Sequence, residues 1–276
     1  MTCCAVQTVG GLCNDARQEV IDVCGRYAAT KNPATLAAEF DALDTMEDHA
    51  PATDYNVAPT KDVVAVVQRH PRDDEGEPDP STTVRSLRVM RWGLIPAWAK
   101  DRSIGARMIN ARSETAATTS AFRTSVAKRR CLIPADGWFE WRRDGKVKQP
   151  FFMTRPDGHS LAMAGLWTVW RDPAAKDGLP VVSAAVLTTD AIGQLADIHD
   201  RMPLLMTPDS WESWLNPDIT DVTVVAEFLG TPPSLELVSS LELRPVSTKV
   251  NSVRNNGPEL LERDEEKADL TLFDHD

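Results

Sequence analysis

Between residues 84 and 189 the chain offers only short apolar runs, each cut off by glycine, proline or a polar stretch. LRVMRWGLIP, RRCLIPADGWFEW, PFFM, LAMAGLW and VVSAAVLTT follow one another in this way. Such runs suit strands, whereas an amphipathic helix needs ten or more periodic residues. Val63–Val67 reads as a further buried strand, and the polar, proline-rich stretch 71–83 as a surface loop. Helical signals sit outside this region. Asn32 followed by Pro33 predicts an N-cap and first turn, with Leu36, Ala37, Phe40 and Leu43 on the apolar stripe. A second helix is expected from about Asp190 to Ile198. A third is opened by Thr207-Pro208 and carries Trp211 and Trp214, and a fourth runs from Val222 to Leu229 and stops at Gly230. The fold class that follows is α+β, a β-rich core with flanking helices.

No internal repeat and no Gly/Ser linker divides the 276 residues, so one domain is expected over 24–256. Residues 1–23 show no usable periodicity and read as an extension. Residues 257–276 read as an acidic disordered tail with too few apolar groups to offset the entropy of ordering. The formal charge of −11 argues against a protein that coats nucleic acid, but the charge is segregated. Residues 81–150 carry 15 Lys/Arg against 5 Asp/Glu, and residues 258–276 carry 8 acidic against 2 basic side chains. A basic middle is what a surface facing a polyanion requires, although a solvated face of uneven charge reads the same way. No run of apolar residues reaches the ~18–20 of a membrane-spanning helix. The five cysteines, at 3, 4, 13, 24 and 131, are odd in number, form no C-x-x-C pair and have no histidine at zinc-ligand spacing. No disulfide framework, metal or cofactor is therefore expected. A reducing compartment follows, and the amino terminus lacks the cationic start and apolar core of a secretory signal, so a cytoplasmic monomer is the expectation.

Several polar residues stand where an apolar one would be expected. Asn110 follows an apolar pair in MINARSET, Glu140 lies between Phe139 and Trp141, and His199 precedes Arg201 in DIHDRMP. A carboxylate among aromatics is costly to bury, and desolvation moves its pKa toward neutrality; a histidine there can act as acid or base. Each also has a plain structural reading. An alternating strand would turn Glu140 to solvent, and a histidine near a helix end is often only a cap. Cys24, before Gly-Arg-Tyr, is a candidate nucleophile, whereas Cys131 reads as a core thiol. Trp92, with Trp98 nearby, stands among Arg91, Lys100 and Arg102, the mixture of rings and cations that a single-stranded nucleic-acid groove uses. With eight tryptophans in the chain, most must nevertheless be core.

Taken in order, CGRYA, YNVAPT, RWGLIPAWAKD, INARSETA, RRCLIPADGWFEW, PFFM, AGLW, LTTDA and IHDRMPLLM span Cys24 to Asn251 or thereabouts. This series resembles the SRAP family, the SOS-response-associated peptidase proteins. The resemblance implies a barrel-like, β-rich core. It also implies a function in the DNA damage response: sensing abasic sites in single-stranded DNA and capturing them covalently. By resemblance, Cys24 is the mature N-terminus and Asn110, Glu140 and His199 surround it. Arg26, Arg112 and Arg201 match phosphate-binding arginines, Trp92 matches a stacking tryptophan, and Trp141 of WFEW joins the DNA-facing set. The partner implied is abasic single-stranded DNA, with nucleoid association when bound.

The chemistry has its own logic. An open abasic site is an aldehyde. An N-terminal cysteine can form an imine through its α-amine, whose reference pKa is about 7.7–8.0, and its thiol can then close a thiazolidine ring. An internal cysteine cannot, and here 23 residues precede Cys24. Either translation starts at position 23, where Val23 stands in place of the initiating methionine, or the site itself cleaves the extension. The lack of pattern in residues 1–23 favours the first. Two alternatives from other classes are a thiol peptidase using Cys24 and His199, and a noncovalent single-stranded DNA module.

Overall fold

The structure is a computed structural model that describes residues 24–267 other than 74, 146 and 176. Its strands are β1 (Tyr27–Ala29), β2 (Leu43–Asp44), β3 (Asp54–Val57), β4 (Asp62–Arg69), β5 (Val84–Trp92), β6 (Asn110–Arg112), β7 (Arg130–Ala135), β8 (Gly137–Asp144), β9 (Val147–Thr154), β10 (Leu161–Trp170), β11 (Val181–Asp190), β12 (Arg201–Pro203) and β13 (Glu242–Pro245). The helices are α1 (Pro33–Phe40), α2 (Ser113–Ala116), α3 (Arg123–Lys128), α4 (Pro208–Leu215), α5 (Val222–Gly230) and α6 (Leu235–Ser239).

Two sheets form the molecule. The first has the order β13-β9-β8-β1-β3, antiparallel at each pairing. The second runs β12-β11-β10-β7-β4-β5-β2, with β6 beside β11. A short parallel pairing of Ser183 with Arg91 and Ala184 with Trp92 joins β11 back to β5. The strands β5-β4-β7-β10-β11 thereby close on themselves. This is a ring of strands rather than a regular barrel, and it bears out the α+β, barrel-like reading.

Burial on both faces explains why the apolar runs are continuous rather than alternating. Ile133, Met163 and Val186 point into the space between the two sheets with Tyr27, Trp92 and Trp138. Their neighbours Leu132, Ala164 and Leu187 point outward under α1 and α4, against Phe40 and Trp214. The first sheet also has a covered outer face, where Phe139 and Phe152 meet Val246, Val250 and Leu260. Among the described residues no helix is long and apolar enough to cross a membrane.

The Asn32 cap forms as expected, its side chain accepting from the Thr35 N–H at 2.9 Å. Helix α4 starts at Pro208, where Thr207-Pro208 places it, and α5 starts at Val222 as expected and runs one residue further, through Gly230. Leu43, expected on the stripe of α1, lies instead in β2 and is exposed, because the helix ends at Phe40 with Asp41 in the left-handed region. Two further expectations need correction. The helix expected from Asp190 to Ile198 is a 3-10 turn over Gly193–Asp197, because Thr188–Asp190 are taken up in antiparallel pairing with Arg201–Pro203. The tail is not disordered from residue 257. A 3-10 turn over Pro258–Leu260 seats Leu260 in the core, and the Asp264 N–H donates to the Pro245 carbonyl. A single well-placed leucine anchors a segment whose composition is otherwise that of a solvated tail. Residues 268–276 and 1–23 lie outside the described residues.

Candidate functional site

Strand β8 is the inner strand of the first sheet, flanked by β9 and β1. Strand alternation therefore sends Phe139 to the outer core and sends Trp138 and Glu140 inward. The Phe139 N–H donates to the Arg26 carbonyl at 3.0 Å, which draws the start of β1 alongside β8. The result is direct contact between the two residues singled out for chemistry. Glu140 Oε1 accepts from the backbone nitrogen of Cys24 at 2.5 Å, and both side chains are buried. Cys24 itself has φ of 52°, in the left-handed region that side-chain-bearing residues seldom adopt.

Burial dominates the electrostatics. It pushes the Glu140 carboxyl up to about 8, against the hydrogen bonds from Cys24 and with help from the Asp200 charge. The Cys24 thiol is pushed well up by burial and by Glu140, with the Arg201 guanidinium pulling the other way. The Cys131 thiol is pushed up by burial alone and is a core residue, as expected.

The other candidates gather around the end of β11. Asn110 opens β6 and pairs with Val186, Arg112 pairs with Thr188, and Arg201 pairs with Asp190 from the opposite side of the strand. His199 stands just before β12. Its Nδ1 accepts from the Arg201 backbone N–H at 3.1 Å, which leaves the proton of the neutral ring on Nε2. The same Nδ1 lies 2.8 Å from the Asp200 carboxylate, a contact that would favour the charged ring. Burial is the larger influence and lowers the His199 pKa, so the neutral ring is the form held at neutrality.

The three arginines differ in how they are held. Arg112 is exposed. Arg201 makes a two-pronged contact with Glu114, at 2.8 and 3.0 Å, and a further ion pair with Asp190 at 2.5 Å. An anion reaching Arg201 has to share it with these carboxylates. Arg26 is half-buried and donates to Asn56 Oδ1 at 2.8 Å and to the Val250 carbonyl at 3.0 Å. Trp141, at the same edge, donates from Nε1 to Asn251 Oδ1 at 2.7 Å. Trp92 is a correction: its ring is fully buried, donates to the Ile109 carbonyl at 3.0 Å, and stands edge-on to Tyr27. It cannot stack on a base. The exposed ring of that string is Trp98, at 59%.

The family model for SOS response associated peptidase (SRAP) matches residues 23–253. The chain belongs to the SRAP family. Relatives include the abasic site processing proteins YoqW of Bacillus subtilis and YedK of Escherichia coli. YoqW is 34% identical over 241 residues and YedK 33% over 246, in each case with 87% of this chain and 99% of the relative covered. HMCES of Gallus gallus, also named an abasic site processing protein, is 33% identical over 209 residues, covering 66% of this chain and 59% of its own length. A crystal structure of a Bacteroides thetaiotaomicron protein shares the fold at a TM-score of 0.70, with 23% identity over 87% of this chain and 99% of that one.

Two residues of the SRAP domain escaped the sequence reading. Asn56, fully buried in β3, accepts from Arg26 and donates to the carbonyls of Val250, Ser252 and Asn255, so it ties the segment 248–255 to β3 and to the residue that precedes β1. The available signal was an asparagine inside the short strand of YNVAPT. Glu114, the partner of Arg201, sits in INARSETA and gave no signal of its own, because an acidic residue in a first helical turn is ordinary.

Proposed function

We propose that this protein senses abasic sites in single-stranded DNA and captures them covalently through Cys24, as a chain whose first residue is Cys24. The observation that carries this reading is the buried Glu140 carboxyl aimed at the nitrogen of residue 24, at 2.5 Å. A buried carboxyl held in hydrogen-bond contact with an amine can take and return protons without leaving the site. The names of the relatives, abasic site processing proteins, support the substrate class.

Glu140 takes a proton from the α-ammonium, and the free amine adds to the aldehyde carbon of the opened sugar. The carbinolamine loses water as Glu140 returns a proton to its hydroxyl, leaving an iminium. The Cys24 sulfur then attacks that carbon as its proton passes to the Glu140 carboxylate, and a five-membered thiazolidine results. On ring opening the bond between the anomeric carbon and the ring oxygen breaks and the anomeric hydroxyl proton passes to that oxygen, with the neutral His199 hydrogen-bonding to it through Nε2–H, and Asn110 orients the sugar. Arg26, Arg112 and Arg201 hold flanking phosphates, with Trp141 at the same edge as Arg26, and their contacts weaken as salt rises. The covalent product shields the lesion during the damage response, a role that fits the cytoplasm and nucleoid.

A thiol peptidase using Cys24 and His199 is less well supported, since burial and Glu140 both hold the thiol protonated where such an enzyme needs a thiolate. The deciding experiment mixes protein starting at Cys24 with an oligonucleotide bearing one abasic site and resolves the products on a denaturing gel. A shifted band is expected, and it should vanish with Cys24→Ala or undamaged DNA. Equal capture by protein in which residue 24 stays amide-linked to Val23 would overturn the mechanism.

A further inference from the structure

The structure holds a second concentration of positive charge, at the opposite end of β11 from Arg201. Two adjoining hollows of about 490 and 830 Å³ share Arg69, Arg88 and Trp167 in their walls, and Arg129 borders the larger. The guanidinium carbons of Arg69 and Arg129 lie 4.7 and 5.7 Å from the centre of the Trp167 ring. Arg69 donates to the Lys128 carbonyl, Arg129 to Thr168 Oγ1 and Arg88 to Ser86 Oγ, which are all uncharged partners. Among the described residues none of the three is in an ion pair.

Elsewhere Lys31, Lys61, Arg85, Arg155, Arg201, Arg244 and Arg263 are matched with carboxylates, so what distinguishes this place is three arginines without such partners gathered around one indole. In the cavity near Tyr27, of about 410 Å³, Lys31 and Lys61 face Glu39 and Asp54, and the one arginine of its wall, Arg91, donates to the Thr60 carbonyl. Beside the arginine groove Arg130 adds a further charge, its guanidinium held by the carbonyls of Val126, Ala127, Trp214 and Asn216. Arg69 is disfavoured as a cation by its burial and by Arg129. Acidic groups nearby are few: Glu47 borders the smaller hollow, and Asp218 is engaged by His70 at the rim. Cations left together without counter-charges, with an indole between them, make a receptor for a planar-chelated oxyanion beside an aromatic surface.

We propose that this groove binds the phosphodiester backbone of the nucleic-acid strand whose lesion lies at Cys24, some distance along from that lesion. This rests on the reading of the protein as a single-stranded DNA binder. The eight steps of strand from Val182 at the groove to Asp190 at Arg201 span roughly 26 Å, about eight nucleotides at 3.4 Å each. A short lesion-bearing strand cannot reach both places, whereas a longer one can.

The test uses the full chain and oligonucleotides carrying a non-reactive abasic analogue, with binding read by fluorescence anisotropy. One oligonucleotide has three nucleotides on each side of the lesion, and two others add ten nucleotides on one side or the other. One extension is expected to tighten binding at least fivefold. Arg88→Gln, which gives up only the Ser86 contact, should remove most of that gain and lower the salt slope by about 0.7 while leaving the short oligonucleotide unaffected. Arg69→Gln provides an independent second variant, with melting temperature as the folding control. Equal binding of short and extended strands, or variants that lose both alike, overturns the groove. So does displacement of the long strand's gain by polyglutamate at equal charge, which would assign the surface to acidic protein. Capture of the short aldehyde-bearing oligonucleotide by protein starting at Cys24 is scored separately. Its absence in the wild type counts against the lesion chemistry and not against the groove.

Discussion

Replacing Glu140 with glutamine tests whether the buried carboxyl behaves as its surroundings require. In the chain with residue 24 amide-linked, burial raises the folded-state pKa from an ordinary 4.5 to about 8. The unfolded chain releases this proton near its ordinary pKa, so the folded state binds more protons between the two values. Stability from this group is thus fully present below about pH 4.5, falls as pH rises, and is gone above about pH 8. The whole shift corresponds to roughly 5 kcal/mol, of which roughly 3 kcal/mol falls between pH 5 and pH 7.5. For a chain of this size that is a drop in melting temperature of about 6–12 °C. The side-chain amide of Glu140→Gln keeps an oxygen to accept the Cys24 N–H and has no proton to release, so the variant's profile should lack this slope. Scanning calorimetry of both proteins over pH 4.5–8 reads the difference. Protein starting at Cys24 gives a second arm, since an α-ammonium at the same position pairs with the carboxylate and lowers its pKa, flattening or reversing the wild-type slope. Parallel pH profiles for wild type and Glu140→Gln in the 276-residue chain would refute the reasoning.

Other consequences follow from particular contacts. Asn56→Ala leaves Arg26 and three backbone carbonyls, that of Val250 buried, without their amide partner, and should cost about 1–3 kcal/mol in urea denaturation while slowing capture; a loss below about 0.5 kcal/mol would contradict this. Gly137→Ala would set a Cβ 2.3 Å from the Met153 carbonyl and 2.5 Å from the Phe152 ring, so a loss of at least about 2 kcal/mol is expected, and a variant of wild-type stability would show that β8 and β9 are not held this close. His199 should titrate below 6.5 by NMR, because burial disfavours the imidazolium, and a midpoint above 6.5 would mean that Asp200 outweighs burial.

Much of the fold could be read residue by residue. The Asn32-Pro33 and Thr207-Pro208 starts are local devices, decided by backbone donors and by the fixed φ of proline, and they act wherever the chain goes. The strands were legible for the same reason, since a short apolar run cut by Gly or Pro has few other uses. Where a residue's state depends on a distant partner, the sequence was silent or misleading. Asp190 joins a strand only because Arg201–Pro203 arrive beside it, and Leu260 orders an acidic segment only because Phe139, Phe152 and Val246 leave a place for it.

The same division runs through the site. Chemical capability belongs to the amino acids themselves: a thiol beside a potential amine at residue 24, a carboxyl at 140, an imidazole at 199. Whether Glu140 faces solvent or the interior is undetermined along the chain, because alternation fixes only that it shares a face with Trp138. The face is decided by the second sheet, which covers it and withdraws water. Desolvation then sets the proton affinities, and it depends on the atoms gathered around a group rather than on its neighbours in sequence. By that same cover Trp92 is a core residue rather than a surface for bases, and Arg69, Arg88 and Arg129, scattered over sixty residues of sequence, are brought together on one wall.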